Sequence, residues 1–341
     1  MLHLDDIRRL VREAFEQYEK AFADIMRSDN ALLNEVLDYI RAKSGKQLRP
    51  LLVLLSAEVS RGVTDKTILS AVALELLHTA SLVHDDVVDS SPTRRGAKAV
   101  HAQWTNKVAV LVGDYMLARV INTIAEIRNT PILNIVSRLG AALSSGELLQ
   151  LHANGSMWIS EEQYFRIIDQ KTAQLFAACT EAGAESCLAT RKQTSALREF
   201  GQHLGICFQL KDDIFDYSDA EDLGKPTMSD IRDGKATLPL IISLQRATPA
   251  EAEQIKQTAE DLAQGIIDAA DAEQEIKSFV LRYEGVRYAN ARINAHKKNA
   301  IEALSVFRDS AAKTALFDLL EYAVNRDHSV IYDLVIYDLV I

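Results

Sequence analysis

The sequence predicts one large all-α domain, and three observations carry this. Apolar residues recur at three- and four-residue steps through most of the chain. Only 14 glycines and 6 prolines punctuate 341 residues, too few for the turns of a sheet protein. No stretch of useful length alternates apolar with polar residues as a half-buried strand would. With 48% hydrophobic residues the chain can bury a large core.

The elements follow in order. Leu4, Ile7, Leu10, Val11, Phe15, Tyr18, Phe22, Ile25 and Met26 make one apolar face of a long first helix. Leu32, Leu33, Val36, Leu37 and Ile40 mark a second. Pro50 suits the first turn of a helix through LLVLLSAEV. A long apolar helix follows Asp65 and ends near Asp89. Helices are expected at 106–128, 131–154 and 160–184, with Thr130 capping before Pro131 and Ser160 paired with Gln163 in a capping box. A helix over 192–217 precedes a polar Gly/Pro-containing loop at 218–235. Thr248, Pro249 and Glu251 open another helix, and two or three more reach residue 327. No linker divides the chain, so residues 1–329 read as one domain. The end, VIYDLVIYDLVI (330–341), is a β-prone five-residue repeat unlike the rest. It reads as a cloning-derived extension outside the domain.

The net charge of -10 argues against bulk attraction to nucleic acid or an anionic membrane, although local basic clusters can stand against that background. Cys179, Cys187 and Cys207 match no zinc spacing, and an odd count argues against a disulfide framework. The acidic, periodic start is unlike a signal peptide. No apolar run approaches the roughly 20 residues of a membrane span. A reducing cytoplasm is the expected location.

The strongest chemical signal is a pair of DDxxD clusters: Asp85, Asp86 and Asp89, then Asp212, Asp213 and Asp216. Residues four apart share a helix face, so Asp85 projects with Asp89, and Asp212 with Asp216. Each cluster closes an apolar helix, where the helix dipole already repels carboxylates. A hard cation is the natural compensation, and Mg²⁺ is usually held by one or two carboxylates plus substrate phosphates. A single such cluster would read as a solvated helix end. Two of them, each ending an apolar helix, favour a metal site.

Cations lie nearby in short breaks: Lys46 and Arg49 in GKQLRP, Arg94 and Arg95 in TRRG, Lys171 in QKTA, Lys225 in LGKP and Lys235 in DGKA. Arginine offers a planar fork to phosphate oxygens and lysine a point charge. Metals on one side and basic groups on the other make a diphosphate site. The nucleotide loop GxxxxGK[ST] is absent.

Through these motifs the chain resembles the trans-isoprenyl diphosphate synthase family over residues 1–328. The matching blocks are GKQLRP, HTASLVHDDVVDSSPTRRG, NKVAVLVGDYMLA, QKTAQLF and FQLKDDIFDYSDAEDLGKPTMSDIRDGKATLPL. The resemblance implies an antiparallel helix bundle around a central cavity, the isoprenoid synthase fold. It implies three Mg²⁺ ions bridging the Asp clusters to an allylic diphosphate, with Asp85, Asp89 and Asp212 as direct ligands. Arg94, Lys171 and Lys235, with Lys225 nearby, would hold the allylic diphosphate. Lys46, Arg49, His78 and Arg95 would hold isopentenyl diphosphate, although His78 also reads as a satisfied core histidine. Thr172 and Gln209 would turn oxygen dipoles toward an allylic carbocation, which isopentenyl diphosphate attacks before a proton passes to the released diphosphate.

Small Ala80 and Ser81, just before the first cluster, leave room for a growing tail. HTASLVHDD thus resembles the long-chain branch, with products of roughly seven to ten isoprene units as the family expectation. The resemblance also implies a homodimer. Long apolar products would leave slowly, aided by a transient contact with a membrane or an acceptor enzyme. Three other readings stand beside this one: a shorter-chain synthase, a terpene cyclase, and a non-catalytic regulatory subunit. The cyclase would be expected to lack the second DDxxD, and the subunit to lose Asp-cluster members.

Overall fold

The computed structural model describes residues 4–43, 45–154, 158–217 and 228–325. Lys225 and the repetitive tail lie outside them. The described residues are all-α apart from a short hairpin, Thr93–Arg94 (β1) against Ala97–Lys98 (β2). Its turn residues, Arg95 and Gly96, take φ of 53° and 70°, the paired positive values of a tight hairpin turn.

The expected first helix is broken in two, Leu4–Leu10 (α1) and Arg12–Ile25 (α2), where Val11 leaves helical geometry. Its apolar face survives the break: Ile7, Val11, Phe15, Tyr18, Phe22 and Met26 are buried. Asn30 caps Ala31–Ala42 (α3). Leu48–Ser60 (α4) buries every residue from Leu48 to Ala57, so it is a core helix rather than an amphipathic one. Each of its fully buried leucines contributes about 1.5–3 kcal/mol of transfer free energy. Asp65–Val88 (α5) opens with a Thr64–Thr67 capping box and is also largely buried. Val100–Gln103 (α6), Asn106–Ile127 (α7) and Thr130–Asn154 (α8) follow. The cap of α8 lies one residue earlier than expected. Asn129 Oδ1 accepts from the Ile132 amide at 3.2 Å, and Thr130 is already helical.

By length and composition, α5 and α7 could each cross a membrane, which the sequence reading had not allowed. Helix α5 is spent in the core. Helix α7 keeps Val110, Leu111 and Ile121 exposed.

The Ser160–Gln163 box starts Glu161–Ile168 (α9) as expected. The helix then widens into a π turn at Asp169–Ala173 before continuing as Gln174–Ser186 (α10). Thr190 and Gln193 box the start of Arg191–Phe215 (α11). The remaining helices are Ser229–Arg232 (α12), Leu238–Arg246 (α13), Pro249–Ala263 (α14), Ala269–Arg282 (α15), Gly285–Ala303 (α16) and Ala311–Val324 (α17). The expected Thr248–Glu251 box opens α14.

Helix α10 is central, packing on α4, α5, α8 and α11. The two helices that end in aspartate clusters, α5 and α11, therefore both lean on α10. Close approach is bought by glycine: a Cβ at Gly201 of α11 would lie 2.6 Å from the Phe176 carbonyl oxygen of α10. A single hydrophobic cluster runs from Ile7 to Ala323.

Candidate active site

The π turn is the hinge of the site. Such turns arise where one extra residue is fitted into an α-helix, and they often mark functional positions. Here it is gripped from both sides. A Cβ at Gly146 of α8 would lie 2.9 Å from Gln170 Cβ and 3.0 Å from Lys171 Cγ, and one at Gly205 of α11 would lie 2.6 Å from Ala173 Cα. Lys171 and Thr172, both buried, are thereby presented between the two acidic helices.

On one side, Lys171 Nζ pairs with Glu147 of α8 at 2.7 Å. Asp85, near the end of α5, is partly buried. Burial first, then the neighbouring Glu147 carboxylate, raise its pKa to about 7 against the opposing pull of Lys171. Asp89 is exposed one turn on, and its amide bonds the Asp85 carbonyl oxygen at 2.8 Å. Asp86 points inward instead. Its Oδ1 accepts from Arg94 Nε and Nη2 at 2.8 and 2.5 Å. Burial raises the Asp86 pKa despite that arginine.

On the other side, Thr172 Oγ1 donates to Gln209 Oε1 at 2.8 Å, and Gln209 Nε2 donates to Asp213 Oδ1 at 2.9 Å. The Tyr164 hydroxyl of α9 donates to the other oxygen of Asp213. Asp212 is half-buried beside it. Asp216 accepts at 2.9 Å from the amides of both Ser229 and Asp230, clasping the start of α12. That clasp orders the segment leading to Lys235, whose amide bonds the Asp230 carbonyl oxygen at 2.7 Å and whose Nζ lies 3.7 Å from Asp233. Asp230 is itself buried, and burial next to Asp216 and Asp213 pushes its pKa well up.

The remaining cations gather elsewhere on α4, α5 and the hairpin. His78 is 1% exposed, and neither ring nitrogen has a hydrogen-bond partner. Burial, then Arg49, Arg95 and Arg94, hold it neutral. It is therefore in the core but not a satisfied core histidine. Arg49 lies over the Phe176 ring at 5.6 Å. Arg95 Nη1 donates to the Lys43 carbonyl oxygen at 2.8 Å, tying the hairpin to the end of α3. Lys46 Nζ reaches the Tyr322 hydroxyl at 3.2 Å. Ala80 is buried, and half-buried Ser81 spends its hydroxyl on the His78 carbonyl oxygen of its own helix at 2.8 Å.

Within the two clusters some of the aspartates are engaged by the protein itself. Asp86, Asp213 and Asp216 hold protein groups. Their oxygens accept from Arg94, from Gln209 and Tyr164, and from the α12 amides. Glu147, Tyr164 and Asp230 escaped the sequence reading altogether. Glu147 and Tyr164 lie in ordinary helical patterns and Asp230 in the expected 218–235 loop, part of which folds as α12, so only tertiary packing brings them to the site.

Comparison with known proteins agrees with this architecture. The family model for polyprenyl synthetase matches residues 30–276. Octaprenyl diphosphate synthase of Haemophilus influenzae is 32% identical over 96% of this chain and 98% of its own length. The polyprenyl synthase of Caulobacter crescentus, solved with calcium and isoprenyl diphosphate, superposes with a TM-score of 0.86 at 34% identity, covering 95% of this chain and 98% of that one. A geranylgeranyl pyrophosphate synthase from Bacteroides thetaiotaomicron gives a TM-score of 0.79 at 39% identity over 94% of this chain and 98% of its own. The matched proteins thus agree in reaction class and differ in product length. With its all-α fold and a match spanning most of its length, the chain belongs to the polyprenyl synthetase family and is a prenyltransferase.

Proposed function

We propose that this prenyltransferase is Mg²⁺-dependent and joins isopentenyl diphosphate head to tail onto an allylic diphosphate, farnesyl or geranyl, giving all-trans products of roughly seven to ten isoprene units. The observation that carries this is the π turn, which sets a buried lysine and a buried hydroxyl between two aspartate-bearing helices.

The donor set suits a hard divalent cation. Asp85, Asp89 and Asp212 offer only oxygens, and burial, with the Glu147 carboxylate beside it, raises the Asp85 pKa to about 7. Among the described residues no three His, Cys, Asp or Glu side chains close on one point, so substrate phosphate oxygens would complete the coordination. Three ions are expected. Bound there, Mg²⁺ would neutralise charge on the departing diphosphate.

The protein does the rest. Lys171, Arg94 and Lys235, with Lys225, bind the allylic diphosphate. Lys46, Arg49 and Arg95 bind the isopentenyl diphosphate, and neutral His78 donates an N–H to it. Thr172 and Gln209 direct oxygen lone pairs at the developing allylic cation, and such preorganised dipoles stabilise charge without reorganising. The buried walls keep water from the cation. The proton lost on coupling leaves with diphosphate. Ala80 and Ser81, with the serine hydroxyl turned back on its helix, leave a low wall below Asp85 for a lengthening tail.

A homodimer is supported by α7, where Leu111, Ala118, Ile121 and Ala125 fall on one exposed face. Three free, buried cysteines suit a reducing cytoplasm. Asp85→Ala and Asp212→Ala test the site. Each should lower diphosphate release from isopentenyl plus farnesyl diphosphate by about a hundredfold with the fold retained. Near-normal rates in either would overturn the assignment.

A further inference from the structure

We infer that Tyr164 is a positioning residue for the reaction: through Asp213 it fixes which end of the Gln209 amide faces the reacting carbons. The inference rests on the prenyl-transfer reading above and deepens it.

Hydrogen-bond polarity sets the orientation of the amide. An ionised carboxylate only accepts, an amide side chain has one accepting and one donating end, and a hydroxyl can do either. Asp213 Oδ1 takes the NH₂ of Gln209 at 2.9 Å. That choice leaves Oε1 of the amide on the Thr172 side, where it accepts the threonine proton at 2.8 Å. With its proton committed, the Thr172 hydroxyl can present only lone pairs. Both polar atoms then show oxygen, which is the sign needed beside an allylic cation. A flipped amide would show N–H instead and would repel the same charge.

What keeps Asp213 in place is Tyr164. The carboxylate is 3% exposed, and its second oxygen accepts the Tyr164 hydroxyl proton. The tyrosine is buried, its ring held edge-on to Phe165 at 5.4 Å. Gln209 and Asp213 stand four residues apart on one face of α11, so the carboxylate needs a second donor from another helix to stay aimed along its own. Tyr164 and Thr172 lie at opposite ends of the segment that contains the π turn. The same segment therefore supplies the anchor and the oxygen that the anchor orients.

The test is single-turnover elongation of farnesyl diphosphate with labelled isopentenyl diphosphate, measured first on the wild-type chain. Tyr164→Phe keeps the ring and removes only the donor. It should slow the chemical step about tenfold, because small losses of alignment at reacting groups are costly. The primer's Kd and the half-saturating Mg²⁺ concentration should stay within twofold. Asp213→Asn, which offers one accepting oxygen in place of two and so cannot accept from both Gln209 and Tyr164 as the carboxylate does, should show a loss of the same kind. The double variant should be no slower than the slower single one, as expected for residues acting through one chain. Unchanged single-turnover rates in Tyr164→Phe, or losses that multiply in the double variant, would overturn the inference. Should Tyr164→Phe not fold, a wild-type rate in Asp213→Asn overturns it alone. Failure of the wild-type chain to elongate any allylic primer would sink the underlying reading first, and this inference with it.

Discussion

A methyl group at Gly146 should cost far more activity than stability. The new Cβ would lie 2.9 Å from Gln170 Cβ, 3.0 Å from Lys171 Cγ and 3.2 Å from the Lys171 amide nitrogen. All three belong to the π turn, so the turn must yield by several tenths of an ångström. Overpacking of this kind costs about 1–3 kcal/mol. Replacing glycine by alanine inside a helix returns about 1 kcal/mol. The net loss is therefore about 0–2 kcal/mol, a shift of a few degrees in Tm at most for a chain of this size. A misplacement of about 1 Å in a positioning group costs on the order of a hundredfold in rate, so moving this lysine by several tenths of an ångström should cost about tenfold or more. Gly140 on the same helix supplies the control, because an added Cβ there meets nothing within 4 Å. Gly140→Ala should melt at or slightly above the wild-type temperature and turn over normally. The assay is thermal melting of both variants beside steady-state diphosphate release. If Gly146→Ala turned over at the wild-type rate, the π turn would not be what places Lys171.

Three further outcomes are expected. Ser81→Phe puts an aromatic ring one turn below Asp85 and should shorten the product ladder at a similar initial rate; an unchanged ladder would mean the tail does not pass that face. Leu111→Arg or Ile121→Arg, on the exposed face of α7, should turn a dimer into a monomer by light scattering, and an unchanged mass would move the interface elsewhere. Stability should weaken in mild acid through His296, which stands 2.9 Å from His203 and is held down to about 4 by burial, then by His203 and Arg292. The unfolded chain takes up that proton near 6.5, so the contribution is whole above 6.5 and is lost as the pH falls toward 4. Discounted for its partial exposure, the loss is about 1–2 kcal/mol. Denaturant midpoints for the wild type and His296→Gln should converge across that interval; parallel curves would contradict the assignment.

Local signals placed the helices well because most are written in neighbouring residues. The Ser160–Gln163 and Thr248–Glu251 boxes need only a four-residue window, and both formed. The break at Val11 and the π turn at Asp169–Ala173 have no such signature. Both interrupt a continuous apolar pattern, and the π turn depends on Gly146 and Gly205, which are distant in sequence. The site divides in the same way. Spacing alone put Asp85 with Asp89 and Asp212 with Asp216 on shared faces. It could not show that Asp216 clasps the amides of Ser229 and Asp230, or that Asp86 turns inward to Arg94, since those partners come from other segments. His78 is the intermediate case. Its place on a buried helix was legible, but its unpartnered nitrogens emerge only once every neighbour is known.

The central claim is elongation to a long product by this one chain. Its most direct measurement is the product ladder from purified protein, Mg²⁺, labelled isopentenyl diphosphate and farnesyl diphosphate, sized by chromatography. A ladder ending near seven to ten isoprene units is the expected result. A stop at four or five would keep the chemistry and refute the open wall at Ala80 and Ser81, while no elongation from any allylic primer would contradict the account at its root.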